Sequence, residues 1–373
     1  MQLIAWSIPV FVAFIVLEYF LARRAGRDLY RLSVSVSDVG CGVVEQLFGV
    51  LTAAGLAALY FLVYEWRLVE LDAGAVTTWV FAMIAVDLIY YWWHRASHEV
   101  AVLWATHVVH HHSEDYNLAV ALRQGVFTAS TLVVFGLPLA LLGVPPLVFF
   151  TSKAINALYQ FWIHTEMIGS LGPVERVLNT PQHHRVHHAV NPRYLDKNYG
   201  GILIVWDRLF GTFAPVDEPT VYGTTKRLRS LNPLWAQFEE FVELGRRVRA
   251  GRNLRERALV LLAHPGWTPR GSAAPLSAAE LSARAAARYS APVSRAMSVY
   301  ILLQAVVIVA TTMTVLIAAG AWPTWLAGLA CATVAAGAVA LAGLAERRRW
   351  ALPLEIGRLA ATVVVAGLVL ARG

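Results

Sequence analysis

The chain has 373 residues, of which 57% are hydrophobic and only 15% are charged. A soluble globular domain typically carries about 25% charged residues, so this composition excludes an ordinary soluble domain and favours a membrane protein. Two cysteines, Cys41 and Cys331, are too few for a disulfide framework or a cysteine-rich metal site. The net charge of +7 comes from basic residues beside apolar segments, where they orient a membrane protein, so we do not expect nucleic acid as a partner.

Apolar segments long enough to cross a bilayer recur along the chain. They cover residues 3–21, 39–64, 75–93, 297–319, 325–344 and 352–370, and residues 126–161 are long enough for a hairpin of two spans broken near Gly143. We therefore predict an all-α, polytopic integral membrane protein with about eight spans. Segment 39–64 is also compatible with a re-entrant pair, because Glu45 and Gln46 interrupt it.

Basic residues predict which ends of the spans face the cytoplasm. Arginines follow the first span, and Arg347, Arg348 and Arg349 separate the last two. The positive-inside rule places these residues, and with them His94 and His164, on the cytoplasmic side. We divide the chain into N-terminal transmembrane helices (1–80), a histidine-box domain (81–215), a basic cytoplasmic linker with one or two amphipathic helices (216–295) and C-terminal transmembrane helices (296–373).

Histidines are concentrated in one part of the chain, because 11 of the 12 lie between His94 and His188. They stand three or four residues apart, a spacing that places imidazoles on one face of a helix where they can share one ion. Several clusters of this kind predict metal binding. The candidate ligands in these clusters are His94, His98, His107, His110, His111, His184, His187 and His188, with His183 as a further candidate.

The missing motifs narrow the metal chemistry. A zinc protease needs His-Glu-x-x-His, but Arg95 follows His94. A carboxylate-bridged di-iron bundle needs Glu three residues before His, and no histidine here has one. The histidines suffice for two metal ions, and iron with an open coordination position can activate dioxygen. A histidine-lined metal transporter is the alternative from another class, disfavoured because the histidines lie at span ends and not within the spans.

Residues 80–215 resemble the fatty acid hydroxylase and sterol desaturase superfamily. The likeness rests on His94-x-x-x-His98, His107-x-x-His110-His111, His184-x-x-His187-His188 and Asn198-Tyr199-Gly200. It implies His164 as an additional ligand between the second and third boxes.

Within the superfamily, Gln160–Glu166 and Asn179–His188 resemble alkylglycerol monooxygenases. This resemblance implies a membrane-bound di-iron monooxygenase that uses O2, with tetrahydrobiopterin as reductant and an ether lipid as substrate. A sterol, fatty acyl or carotenoid substrate stays open, as does desaturation in place of hydroxylation. A separate electron-donor protein and a homodimer also stay open as partners.

Polar neighbours of the boxes are candidates for supporting roles. Asp87 lies seven residues before His94, two turns away on the same helix face, so we expect it to orient His94 or a neighbouring ring. The family likeness assigns a functional role to Glu114, which follows the second box. His112 is expected to lie outside the ligand set, and His264 in the linker is expected to have no special role.

Overall fold

The computed structural model describes residues 2–371 and is mostly helical. The helices of these residues are α1 (Gln2–Arg24), α2 (Leu32–Tyr64), α3 (Val76–Glu99), α4 (Ala101–His111), α5 (Thr128–Leu141), α6 (Pro146–Trp162), α7 (Pro181–His187), α8 (Val205–Phe210), α9 (Pro233–Ala250), α10 (Leu254–Leu262), α11 (Ala278–Ala286), α12 (Arg295–Ala318), α13 (Thr324–Ala345) and α14 (Ala351–Leu370). One hairpin of two-residue strands, β1 (Trp267–Thr268) and β2 (Gly271–Ser272), departs from the all-α expectation.

Within residues 2–371, six helices are long and apolar enough to cross a membrane: α1, α2, α3, α12, α13 and α14. The chain is thus a multi-pass membrane protein, but the expected eight spans are too many. The predicted hairpin of 126–161 is present as α5 and α6, whose 14 and 17 residues extend only about 21 and 26 Å. A bilayer core is about 30 Å thick, so neither arm crosses it as a regular helix.

The turn between α5 and α6 depends on a glycine. Gly143 has a φ of 84°, and a Cβ there would lie 2.0 Å from the carbonyl oxygen of Val69. The hairpin can therefore pack against residues 65–72 only with glycine at this position. Its return brings the end of α6, and His164 just after it, to the same end of the bundle as the end of α3.

Helix α2 is the central element of the bundle. It is one continuous helix of 33 residues, so segment 39–64 is not a re-entrant pair. Its C-terminal half contacts α5 and α6, where the ring of Tyr60 stacks on Phe149 at 4.2 Å, and it shares a buried cluster with Ala82 and Val86 of α3. Its middle contacts α12 and α13 through a second buried cluster that includes Leu47, Val315 and Leu341. Helix α2 therefore connects the α5–α6 hairpin to the C-terminal membrane helices.

The basic linker folds over the second histidine box. It contains α9, α10 and α11, one helix more than the upper expectation. Leu244 of α9 and Val260 of α10 bury Ala101 and Ala105 of α4, and the nitrogen of Ala101 donates to the carbonyl oxygen of Ala263 at 2.9 Å. The linker thus covers this side of α4, while its cytoplasmic orientation stays a prediction.

Candidate metal centre

Four chain segments bring the histidines together at one end of the bundle. Helix α3 carries His94 and His98 in its last turns, and the backbone turns at Val100 so that α4 runs back beside it. His164 follows the end of α6, and the short helix α7 carries the third box. The i, i+3 and i, i+4 spacings therefore place ligands on the inner faces of elements that converge.

The nine histidines predicted from the three boxes and His164 form two groups. The first comprises His94, His98, His107, His111 and His187, and the second comprises His110, His164, His184 and His188. Within each group the candidate ligand nitrogens all lie within 4.8 Å of one another, and every residue is buried. Two nitrogens bound to one ion at about 2.1 Å are at most about 4.2 Å apart, so each group needs little contraction to hold one ion.

The two groups adjoin each other. The ring of His111, from the first group, stacks on the ring of His188, from the second, with centroids 4.4 Å apart. The rings of His107 and His110 are 5.5 Å apart across the same boundary. The arrangement therefore fits two ions in one centre and not two independent sites.

Backbone carbonyls fix the orientation of four rings. The Nδ1 atoms of four histidines lie 2.7–2.9 Å from carbonyl oxygens. A carbonyl oxygen only accepts, so each Nδ1 carries the proton and each Nε2 presents a lone pair. The four pairs, histidine first, are His94 with Tyr199, His110 with Arg123, His164 with Gln160, and His187 with Lys197.

The resulting lone pairs face one another in a way that fits a bound cation. Both His110 and His164 donate from Nδ1, yet their Nε2 atoms are only 3.2 Å apart. Two neutral lone pairs at that distance repel, whereas two nitrogens about 2.1 Å from one ion at right angles are about 3.0 Å apart. The Nε2 atom of His187 is likewise buried without a hydrogen-bond partner among the described residues. The donor set thus fits bound metal.

Burial keeps these imidazoles neutral, as metal ligation requires. Burial lowers the pKa of His184 well below its usual value, and the neighbouring His164 lowers it further. Burial likewise lowers the pKa of His110 to about 4. Neutral ring nitrogens are therefore available at physiological pH.

Two histidines next to the boxes lie outside both groups. His183 was expected as a further ligand, but its Nδ1 accepts from the backbone nitrogen of Thr180 at 3.4 Å, and its ring packs on Phe213. That contact caps the N-terminus of α7, and His183 is in neither metal group. His112 is also outside the groups, as expected, and it is buried.

Asp87 does not contact His94, contrary to the simplest form of our expectation. Its carboxylate accepts from the backbone nitrogens of Ile202 and Leu203 and from the side chains of Asn156 and Trp206, at 2.7–3.1 Å. Asp87 therefore holds the segment that follows Tyr199, whose carbonyl orients His94. Its effect on the ligand passes through this backbone.

Asp207 is a supporting residue that spacing did not single out. Its buried carboxylate accepts from the backbone nitrogens of Tyr199 and Gly200 at 2.7 and 2.8 Å and from the hydroxyl of Thr212 at 2.7 Å. Burial raises its pKa to about 6. Its position within residues 80–215, the part of the chain that resembles the superfamily, is the one signal in the sequence that marks it.

Glu114 lies outside the metal groups. Its carboxylate pairs with Arg227 and accepts from the backbone nitrogen of Tyr289 at 2.6 Å. Both partners belong to the linker. The structure therefore places Glu114 where the linker is attached to the histidine-box domain, and its expected catalytic role stays a prediction.

His264 has a role that the sequence did not suggest. Its Nε2 lies 3.0 Å from one carboxylate oxygen of Asp196, and the other oxygen faces Nδ1 of His98 at 3.8 Å. The hydrogen bond with Asp196 raises the pKa of His264. The carboxylate thus lies between a linker histidine and a candidate ligand, an arrangement that orients ligating imidazoles in metal sites.

A helical membrane bundle with nine buried, converging histidines defines a membrane metalloprotein. Residues 79–212 match the model of the family described as fatty acid hydroxylase. The matched residues include both metal groups, so the family's domain and the geometric site coincide.

The chain is also similar to curated alkylglycerol monooxygenases. It is 40% identical to the Homo sapiens protein over 263 residues, which cover 70% of this chain and 59% of the relative. It is 36% identical to the Caenorhabditis elegans protein over 61% of this chain and 46% of the relative. An ornithine lipid hydroxylase from Rhizobium tropici is 30% identical over 38% of this chain and 43% of the relative. The chain thus spans about three-fifths of the human relative's length, and no solved structure matches it.

Proposed function

We propose that this protein is a membrane-bound di-iron monooxygenase that hydroxylates a C–H bond of a lipid with O2. The observation that carries the proposal is the pair of opposed lone pairs on His110 and His164, 3.2 Å apart, within two adjoining groups of buried histidines. Neutral imidazoles in this number suit iron, and they leave room for further ligands.

The protein's own residues would bind and orient the two ions. His94, His98, His107, His111 and His187 would hold one iron, and His110, His164, His184 and His188 the other. Backbone carbonyls fix which ring nitrogen is free to bind, and burial excludes bulk water. The irons would supply the activation of dioxygen that an unactivated C–H bond needs. One oxygen atom enters the product and the other leaves as water, with two electrons and two protons from the reductant.

An ether lipid is the favoured substrate, with tetrahydrobiopterin as the reductant. The support is the likeness to proteins named alkylglycerol monooxygenase, which exceeds the likeness to an ornithine lipid hydroxylase in identity and length. A lipid can reach the centre from the bilayer, because the site lies at the ends of membrane helices. We expect the reductant to arrive from the cytoplasm.

A histidine-lined metal transporter has less support. A transport path needs polar groups spread through the spans. The nine histidines meet at one buried place, and four of them are fixed by carbonyl oxygens. Such an arrangement favours a resident metal over a transported one.

Labelled dioxygen tests the proposed reaction. Iron-loaded full-length protein in detergent is incubated with ¹⁸O2, tetrahydrobiopterin and a long-chain 1-O-alkylglycerol, and the lipid products are analysed by mass spectrometry. We expect one labelled oxygen atom in the product and none with His184→Gln. A new double bond without label would instead indicate desaturation, and unchanged lipid with fully iron-loaded protein would contradict the assigned substrate.

A further inference from the structure

A cavity of about 320 Å³ lies where residues 228–235 meet the connection between α13 and α14. The residues that matter for its chemistry are Arg229, Ser230, Trp235, Glu346, Arg348 and Trp350. We call it the arginine–tryptophan cavity. None of these residues belongs to either metal group, so the cavity is separate from the centre described above.

The arginine–tryptophan cavity carries uncompensated positive charge. Arg229 has no ion pair or side-chain hydrogen bond among the described residues, and neither do Arg347 and Arg349 beside the cavity. Arg348 uses its Nε on Glu346 at 3.1 Å and keeps its other guanidinium donors free. The Glu346 side chain is only 5% exposed. Its carboxylate also accepts hydrogen bonds from the backbone nitrogen of Leu231 and the hydroxyl of Tyr289. The exposed charge is therefore basic.

The cavity lies at a boundary between apolar and charged surface. Helices α13 and α14 are both candidate spans, and their connection borders the cavity. Trp235 and Trp350 are 40% and 43% exposed there, and tryptophan is enriched where a bilayer meets water. The cavity is thus placed at the depth of lipid headgroups.

Apolar side chains extend from the cavity along two helices. On α9, Leu234, Trp235, Phe238 and Val242 are exposed at a spacing that aligns them along one side of the helix. On α14, the exposed large apolar residues that follow Trp350 are Leu352 and Ile356. A soluble anion would make no use of these surfaces, whereas acyl chains would cover them.

The backbone on both sides of the cavity adopts an unusual conformation. Arg229 and Arg347 have φ angles of 49° and 55°, in the left-handed region that residues other than glycine rarely adopt. Such conformations persist where the surrounding structure requires them, and they are common where a ligand is held. Here they belong to the two segments that carry the free guanidinium groups.

We propose that the arginine–tryptophan cavity binds the headgroup of an anionic phospholipid. Arg229 and Arg348 contact the phosphate, which guanidinium groups bind with paired hydrogen bonds. The acyl chains lie along the exposed apolar sides of α9 and α14. The bound lipid connects α9, which packs on the second histidine box, to the C-terminal membrane helices.

Native mass spectrometry of the full-length protein tests this site. Protein in detergent micelles receives dioleoyl phosphatidylglycerol or dioleoyl phosphatidylcholine, which share acyl chains and differ in headgroup charge. We expect one retained phosphatidylglycerol per chain, with a preference over phosphatidylcholine of about tenfold. R229Q/R348Q should abolish the preference, whereas R249Q/R255Q, which removes two exposed arginines of α9 and α10, should keep it. R229K/R348K should retain part of it, because the charge remains while the paired hydrogen bonds are lost.

Several results would overturn the proposal. If the wild-type protein retained both lipids equally, the proposal would be wrong, and no variant would be needed to show it. Equal loss in R229Q/R348Q and R249Q/R255Q would indicate diffuse attraction to the basic surface. Displacement of phosphatidylglycerol by millimolar inorganic phosphate would show that the cavity binds a small anion and not a lipid. Metal content and thermal midpoint report whether each variant is folded.

Discussion

At the scale of single residues, hydrogen bonds decide which histidines can be ligands. Adjacent residues of the third box differ sharply in their surroundings. His184 lies 3.0 Å from His164 through their Nε2 atoms, whereas Nδ1 of His183 faces the backbone nitrogen of Thr180. Of these two adjacent histidines, His184 is therefore a candidate ligand and His183 caps a helix.

Substitution of these two neighbours separates ligation from helix capping. We expect His184→Gln to lose bound iron, because it removes one of four donors of the second group. His183→Gln should keep the iron and lose about 1 kcal/mol of stability at most, since only a helix-terminal contact is removed. Metal analysis and thermal unfolding of the purified variants check both. Iron loss in His183→Gln would make His183 a tenth ligand.

The carboxylate beside His98 gives a second prediction at this scale. Asp196→Asn should weaken iron binding by about 10- to 100-fold, because it removes the charge that orients a ligating ring. Asp217→Asn is the matched control, since Asp196 and Asp217 side chains are both 36% exposed and the partners of Asp217, Arg193 and Tyr194, are not candidate ligands. Iron titration against a competing chelator measures the effect. If the two variants bound iron with equal affinity, Asp196 would have no positioning role.

At the scale of elements, a buried ion pair joins α2 to the second histidine box. Arg123 donates to Asp38 of α2 at 3.0 Å and to the carbonyl oxygen of Val109 at 2.7 Å. Its own carbonyl oxygen accepts from His110. Both side chains of the pair are almost fully buried, so α2 fixes the position of a ligand it does not itself supply.

Breaking this pair should be costly. Asp38→Asn leaves a buried guanidinium without its counter-charge, and we expect a loss of about 3–5 kcal/mol of stability together with lower iron occupancy of the second group. The control is Glu99→Gln, which removes the partly exposed pair of Arg95 and Glu99 and should cost at most about 1 kcal/mol. Urea unfolding in detergent compares the two. A similar, small effect in both variants would mean that the buried pair does not hold the box.

Element positions also explain how far the sequence could predict the site. The spacing within α3, α4 and α7 predicted the ligands of the boxes because ligands on one helix repeat every three or four residues. Contacts between distant segments left no such pattern: Asp87 and Leu203 are separated by 116 residues, and His264 and Asp196 by 68. The contacts of Asp87 with Leu203 and of His264 with Asp196 could therefore not be read from the sequence. The short arms of the hairpin were missed because apolar composition continues through the turn at Gly143.

At the scale of the whole molecule, the linker and the C-terminal helices support the centre from outside. Tyr289 is the junction, because its nitrogen donates to Glu114, its carbonyl oxygen accepts from Arg31, and its hydroxyl donates to Glu346. Both metal groups nevertheless lie between His94 and His188. Ligation and support are thus divided between different parts of the chain.

Removal of the C-terminal helices tests this division. Truncation after Ser294 keeps Tyr289 but exposes the side of α2 that α12 and α13 cover. We expect a lower thermal midpoint with iron still bound to the folded fraction, since no ligand is lost. The test is the iron content per folded chain, measured after size-exclusion chromatography in detergent. Iron-free but folded truncated protein would show that these helices shape the centre directly.

The iron stoichiometry of the purified full-length protein tests the central claim most directly. Nine histidines in two adjoining groups predict two iron ions per chain, and Mössbauer spectra should resolve two magnetically coupled sites in one centre. Plasma mass spectrometry of protein expressed with ample iron gives the count. A ratio near two, with coupled spectra, is the predicted result. A ratio of one, or active protein without iron, would contradict the two-metal centre.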